Sequence, residues 1–380
     1  MPAATTRKRK VAKKDDVRTG SDPASPTVKE WATMKPFGSF VVEDADGNEN
    51  VFALGDRAVV LPGGKKKLAP HQYWVARIIA IRGKDCPDSK KPARLGKAKI
   101  LVPEFWVQVR WYYSPSEVAY RVKGFKESHC SRYERIYSDH SEVVSALTFD
   151  DTVSVAKFRE DDPDQLPIGA DEFFTRYRLN TRTLEIESYS LAPLADTAGC
   201  CEAPYSLRDK VSLHIMHMCP RPCCRRFYHS ACLLAAGHWA PLTHPLLLLA
   251  SSPDTDAHPA TTSASKRKRK PDASTCPISL LEAVAAHVPP LPEPLLALAA
   301  QPIVRSAALR GLNFTGNSRA VAAARRIVYA VLQKGYAVPD GWAEDLDVDA
   351  AMVDSCMPAL LLEGTGEPLV LTCPNCSGPI

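Results

Sequence analysis

The stretch Phe105-Trp-Val-Gln-Val-Arg-Trp-Tyr-Tyr113 leaves little choice of local conformation. Its odd positions, Phe105, Val107, Val109, Trp111 and Tyr113, are all apolar or aromatic, and Gln108 and Arg110 alternate with them. A period of two belongs to a half-buried strand, whose pleated faces suit β-branched and aromatic side chains. On such a strand Trp111 and Tyr113 share a face, roughly 7 Å apart. Ser114-Pro115 stops it, because proline withdraws a ladder donor. Two large aromatics on one side build either core or a pocket, and the function turns on which.

Short runs of the same character surround it. Val51–Leu54 leads through Gly55-Asp56 into Arg57–Leu61, Gly63-Gly64 makes a turn, and Tyr73–Ile81 is a second long strand. Tyr133–Tyr137 reads as a short strand, Ser138–Glu142 as a polar turn, and Phe149–Phe158 and Phe173–Leu179 as further strands. Closely spaced strands separated by turn signals predict a small barrel or curled sheet over residues 37–188.

Composition sets the surroundings of that domain. A chain of 380 residues has room for two or three domains, and 48 basic against 43 acidic residues leave it at +5. The basic residues crowd into Arg7–Lys10, Lys13-Lys14, Lys65–Lys67 and Lys266–Lys270. Residues 1–36 are too polar to fold alone, and their basic run fits a nuclear import signal. Twelve cysteines, mostly clustered, favour metal binding in a reducing compartment over a disulfide scaffold. The basic N-terminus lacks the apolar core of a signal peptide. Pro245–Ala250, the longest greasy run, falls far short of the roughly 18 residues of a membrane span. The expectation is a soluble, intracellular, nuclear protein with no membrane partner.

Five motifs fall in order: Phe52-x-Leu-Gly-Asp56, Tyr73-Trp-Val-Ala-Arg-Ile78, Trp111-Tyr-Tyr-Ser-Pro-Ser-Glu117, Tyr137-Ser-Asp-His140 and Phe173-Phe-Thr-Arg-Tyr177. Together they resemble a bromo-adjacent homology (BAH) domain over about two-fifths of the chain. The resemblance implies a distorted β-barrel that binds nucleosomes or modified histone tails. In the family's methyl-lysine readers an aromatic cage occupies positions matching Trp74, Trp111 and Tyr113, and a peptide groove occupies those of His140 and Glu142. Glu117 is placed to add a carboxylate. A trimethylammonium group keeps its charge but has no N–H donor, so ring faces hold it by cation–π attraction worth roughly 0.5–2 kcal/mol per contact.

A different chemistry follows. Cys200-Cys201 is succeeded by Cys219-x4-Cys224-x4-His229-x2-Cys232, and far downstream by Cys373-x2-Cys376. Thiolates and imidazole suit tetrahedral zinc, and ligands paired two to four residues apart let one turn supply two corners. The order resembles an atypical PHD-type finger; in a RING domain the histidine usually takes fourth place, which argues against a ubiquitin ligase. The family's interleaved scheme implies one zinc on Cys200, Cys201, His229 and Cys232 and another on Cys219, Cys224, Cys373 and Cys376. Cys223 competes with Cys224, and Cys224 gives the better spacing to His229. Cys200 and Cys201 are adjacent instead of spaced, and His214 or His217 are alternatives for that gap. The family's Trp before the last pair is Leu371 here, and Cys232 and Cys373 stand much further apart than such fingers usually allow.

The zinc module is thus expected as 196–240 and 363–380, interrupted by a disordered basic linker at 241–276 and a helical insertion at 277–362. Within the insertion Asn317-Ser318 caps a helix with Val321, Ala324, Ile327, Val328 and Val331 on one face, and Gly335 stops it. Arg325-Arg326 fall on the other face and read as solvated. The function expected is non-enzymatic: a nuclear chromatin-binding protein that reads a histone tail, with structural zinc. The alternatives are non-specific nucleosome or DNA binding through the Lys65–Lys67 loop and basic tails, or a scaffold within a chromatin complex.

Overall fold

The computed structural model describes residues 25–43, 48–61, 68–84, 94–95, 98–99, 104–190, 205–206, 215–254, 277–306, 314–346 and 366–380. The basic clusters and Cys200-Cys201 lie outside these residues. The chain forms two compact units, residues 1–113 with 137–154, and residues 114–136 with 155–380.

In the first unit a capped helix α1 (Val28–Thr33) precedes β1 (Lys35–Phe37), β2 (Ser39–Glu43), β3 (Glu49–Ala53), β4 (Arg57–Val60) and β5 (Trp74–Lys84). A minimal hairpin, β6 (Arg94–Leu95) and β7 (Ala98–Lys99), leads to β8 (Glu104–Tyr113), then β9 (Ile136–Ser145) and β10 (Phe149–Thr152). The ladder runs β10-β4-β5-β8-β9, with β1 also on β5 and a bulge in β5 between Ile78 and Ala80. Among the described residues β10 has no strand partner besides β4, so the path stays open where the BAH resemblance implies a barrel. Alternation does its work here: Ala58, Ala76, Ile78, Val107, Val109 and Trp111 are buried. Hairpin β2–β3 adds Phe40 and Phe52, stacked at 5.1 Å, with Phe149 edge-on to Phe40 at 5.2 Å. Gly83 fits between Phe37 and Phe105, where a Cβ would stand 2.8 Å from the first ring.

The segment read as a polar turn, Ser138–Glu142, is instead the middle of β9. Its serines are not turn residues, because their hydroxyls donate to neighbouring main chain: Ser138 to Trp111 O at 2.8 Å and Ser141 to Val109 O at 3.1 Å. The runs Phe149–Phe158 and Phe173–Leu179 each break in two.

The second unit contains α2 (Pro115–Arg121), β11 (Val155–Lys157), β12 (Phe173–Thr175), β13 (Tyr177–Asn180), β14 (Glu185–Ser188), β15 (Met216–Cys219), β16 (Arg226–His229), α3 (Ser230–Ala235) and β17 (Trp239–Pro241). It continues through α4 (Pro277–Ala286), α5 (Glu293–Ala299), β18 (Val304–Arg305), α6 (Ser318–Lys334), α7 (Trp342–Asp345) and β19 (Leu369–Leu371). The three-stranded sheet β16-β15-β18 turns Met216, Met218 and Phe227 into one core with Leu295 and Leu298 of α5 and Val321, Ala324, Val328 and Val331 of α6. Asn317 is the N-cap of α6, and Gly335 closes it at φ 67°, the left-handed geometry that favours glycine. No helix among the described residues is long and apolar enough to cross a membrane.

Arg325 is not solvated. Its guanidinium donates to Ala299 O, Ser251 O and Gln301 O at 2.9, 2.8 and 2.7 Å, so the carbonyls ending α5 and the turn after Leu249 recruit it inward. Arg326 forks onto Asp164 and Asp254. A second buried charge centre joins distant segments of this unit. Arg176 pairs with Glu134 at 2.8 Å and Glu160 at 3.0 Å and donates to Tyr205 O at 2.9 Å. Arg305 lies over the Phe227 and Tyr205 rings at 3.7 and 4.4 Å and reaches Glu160 at 3.5 Å.

Candidate functional site

Two groups of residues concentrate chemistry, one in each unit. In the first, the register of the ladder assembles aromatics. Val60 pairs with Trp74, and Ala76 pairs with Trp111, so both indoles belong to neighbouring strands near one end of the sheet. Their ring centroids are 5.8 Å apart with planes at 78°, the edge-to-face relation of two walls. Tyr113 follows on β8, and its hydroxyl meets His140 Nδ1 at 2.9 Å. The two rings lie nearly parallel, with centroids 6.1 Å apart. The Trp111 indole N–H donates to Glu142 Oε2 at 2.9 Å.

The structure therefore brings Trp74, Trp111 and Glu142 together and pairs Tyr113 with His140, with Trp111 and Tyr113 two residues apart on β8. Trp111 and Tyr113 are each 1% exposed, whereas Trp74, His140 and Glu142 are half-buried. Glu117 has another task. Its carboxylate accepts the Ser114 amide at 2.8 Å and the Ser114 hydroxyl at 2.9 Å, completing a capping box at the start of α2. Ser-Pro-Ser-Glu is a legible helix-start signal, and it accounts for this carboxylate.

The second group is sulfur. Cys219 ends β15 and Cys224 sits on the following turn, where its amide donates to Arg221 O at 2.8 Å. Cys373 and Cys376 form a second knuckle after β19, closed by Cys373 N to Gly378 O and Ser377 N to Cys373 O, each 2.8 Å. Both turns pass through a left-handed non-glycine residue, Arg225 at φ 45° and Ser377 at φ 55°. Such strain persists where the surroundings over-determine the backbone. Pairing of Trp239 with Leu371 brings the C-terminal knuckle to α3, and Leu233, Leu369 and Leu371 wall the centre.

The sulfurs of Cys219, Cys224 and Cys373 lie within 4.8 Å of one another, and Cys376 is 3.4 Å from Cys219. Cys224 and Cys373 are 3.7 Å apart. Four thiolates at the zinc–sulfur bond length of 2.3 Å would stand about 3.8 Å apart in a tetrahedron, so the buried set fits a metal ion. Cys223, next to Cys224, is exposed.

Three residues that the spacing alone does not announce complete this centre. Arg221 Nη1 donates to the Cys376 sulfur at 2.9 Å, and the Tyr228 hydroxyl lies 3.4 Å from Cys224 and 3.7 Å from Cys373. Gly378 leaves room for the guanidinium, which a Cβ would overlap. The Cys376 thiol is pushed down by hydrogen bonds from Cys219 and Cys373, with Arg221 acting in the same direction. The only sequence signal is a basic residue between paired cysteines. His229 is buried as the residue before α3, with Cys232 in the first turn of that helix. Their expected partners Cys200 and Cys201 lie outside the described residues. His217, another alternative, is buried on β15, and its pKa is lowered to about 4 by burial.

No family model matches the chain, and no curated protein matches it. Among solved structures it is similar to the yeast Rsc2 BAH domain, at 14% identity and a TM-score of 0.26. That likeness covers 40% of this chain and 54% of the other, so the chain spans about half of that structure.

Proposed function

We propose that this chain is a non-enzymatic chromatin-binding protein. In this reading Trp74, Trp111 and Tyr113, with His140 and Glu142, receive a methylated lysine of a histone tail, and zinc on Cys219, Cys224, Cys373 and Cys376 holds the second unit together. The observation that carries it is the crossed pair of indoles, 5.8 Å apart, beside a tyrosine fixed by a histidine. Perpendicular ring faces suit a methylated ammonium, which needs no hydrogen-bond acceptor. Glu142 already orients one wall through the Trp111 indole and keeps a second carboxylate oxygen for the peptide. With Trp111 and Tyr113 buried, half-buried Trp74 is the ring this reading leaves for the ligand to meet first. Zinc saturated by four sulfurs keeps no open position for catalysis. Nuclear import through Arg7–Lys10 and Lys266–Lys270 belongs to the same proposal, and a fluorescent fusion with both clusters neutralised tests it.

The test is a modified-histone peptide array probed with the full chain. Residues 37–188 alone would separate Glu134, Glu160 and Arg176 from Tyr205 and Arg305. Methylation-dependent capture that Trp74→Ala abolishes supports the reading; capture of no peptide by a folded, zinc-loaded chain ends it. The 1% exposure of Trp111 and Tyr113 favours a second reading, in which these rings are core and the protein is a scaffold. Under that reading Trp74→Ala lowers stability and changes no binding.

A further inference from the structure

The outward side of the first unit's sheet carries an arginine row. Arg57 of β4 pairs in register with Arg77 of β5, and Arg77 pairs with Arg110 of β8. Residues directly opposite on adjacent strands project from the same face, so three guanidiniums stand side by side across three strands. Arg57 and Arg77 are exposed and Arg110 is half-buried. Like charges placed opposite one another destabilise a sheet.

Among the described residues none of the three forms an ion pair. The acids closest along the chain are turned elsewhere: Asp56 accepts the Ala53 amide at 2.8 Å, and Asp151 accepts the Thr152 amide at 2.7 Å. Arg110 is pre-positioned, with Nη1 3.4 Å from the Tyr137 hydroxyl, while its buried Nε has no acceptor.

We propose that the Arg57–Arg77–Arg110 row is a docking surface for the phosphate backbone of duplex nucleic acid. Two strand spacings make the row about 10 Å long. One DNA strand carries a charge every ~3.4 Å of helix axis, so the row faces about three phosphates. Guanidinium forks match phosphate oxygens in pairs, which favours arginine over lysine for this contact. Among the described residues this sheet face presents charge without a groove-entering element, which predicts binding without base preference.

The experiment uses the full, zinc-loaded chain and a labelled duplex of mixed sequence, with anisotropy measured from about 50 to about 200 mM salt. Arg57→Gln with Arg77→Gln removes the two exposed members, and a melting midpoint no lower than that of the wild type confirms that the sheet is intact. Loss of two phosphate contacts lowers the slope of log affinity against log salt by about 2 and weakens binding at least tenfold near 100 mM. Arg57→Lys with Arg77→Lys keeps most of the slope. A wild-type chain that ignores the duplex overturns the proposal, and so does a double glutamine variant with the wild-type slope. Competition by polyglutamate but not by duplex overturns it too, assigning the row to an acidic protein.

Discussion

The guanidinium of Arg221 donates to the sulfur of Cys376 at 2.9 Å, and the absence of a side chain at Gly378 is what lets it arrive. Four thiolates around one divalent ion carry a net double negative charge, and a buried arginine beside one of them offsets part of it. Gly378→Ala is therefore expected to act as Arg221→Ala does, by expelling the guanidinium. Either change should lower zinc affinity about 10- to 100-fold, the usual effect of removing a residue that supports a metal ligand. Chelator competition checks the magnitude. The double variant should be no weaker than either single one, and additive losses would separate the two residues.

Each of Cys219→Ser and Cys373→Ser should remove one zinc equivalent by elemental analysis. The centre ties β15 to the C-terminal knuckle, joining residues 149 positions apart in the case of Cys224 and Cys373. Loss of the ion should therefore melt the second unit's tertiary signal in near-ultraviolet circular dichroism. Cys223→Ser, at an exposed position, should keep the wild-type zinc content.

Trp74 and Trp111 should respond differently to the same truncation. Trp111 is fully buried, and Trp111→Ala is expected to cost about 3–5 kcal/mol of stability through its cavity. Half-buried Trp74 should lose at least tenfold in methyl-peptide affinity on conversion to alanine, with a smaller fall in the melting midpoint. Titration calorimetry with one methylated and one unmethylated peptide reads the difference.

Alkali should destabilise the second unit earlier than an ordinary cysteine or tyrosine content would suggest. Burial, with the Glu134 charge behind it, pushes the Cys130 thiol up to about 12, and burial pushes the Tyr205 hydroxyl up to about 12. Both are acids held neutral in the folded state. The unfolded chain releases their protons first, so stability is complete below pH ~9 and falls as pH rises toward 12. Cys130 alone accounts for about 2 kcal/mol by pH ~10.5. Urea midpoints for Cys130→Ala should decline less between pH ~8.5 and ~10.5 than those of the wild type.

Arg325→Met should destabilise by about 3 kcal/mol or more, since it strands three buried carbonyls that now share one guanidinium. Lysine, with a single ammonium, should recover only part of the loss. Chemical denaturation of the three proteins ranks them.

Local pattern made much of this molecule legible. Alternation marked β5 and β8 because their inner faces are buried along nearly their whole length, and the Cys-x2-Cys and Cys-x4-Cys spacings marked the two knuckles because a turn that short serves only a few purposes. The failures share one cause. Ser138, Asp139, His140, Ser141 and Glu142 have turn composition, and only partners on β8 make them a strand. Arg325 has the composition of a solvated helix face, and only carbonyls from α5 and from the chain near Ser251 draw it inside. Polar residues carry the period of an element only after tertiary structure has given them something to bond. Glu117 shows the converse, a local capping signal that outweighs a tertiary role.

The distance in sequence between the two cysteine knuckles also imposes a schedule. A ribosome makes Cys219 and Cys224 long before it makes Cys373 and Cys376. Until the later pair emerges, the proposed metal has only half its sulfur ligands, and Cys219 at the end of β15 lacks the neighbours of its cluster. A chain ending before the second knuckle would keep the core of α5 and α6 against β15 but lose Leu369, Leu371, Cys373 and Cys376 from the smaller sulfur-centred cluster.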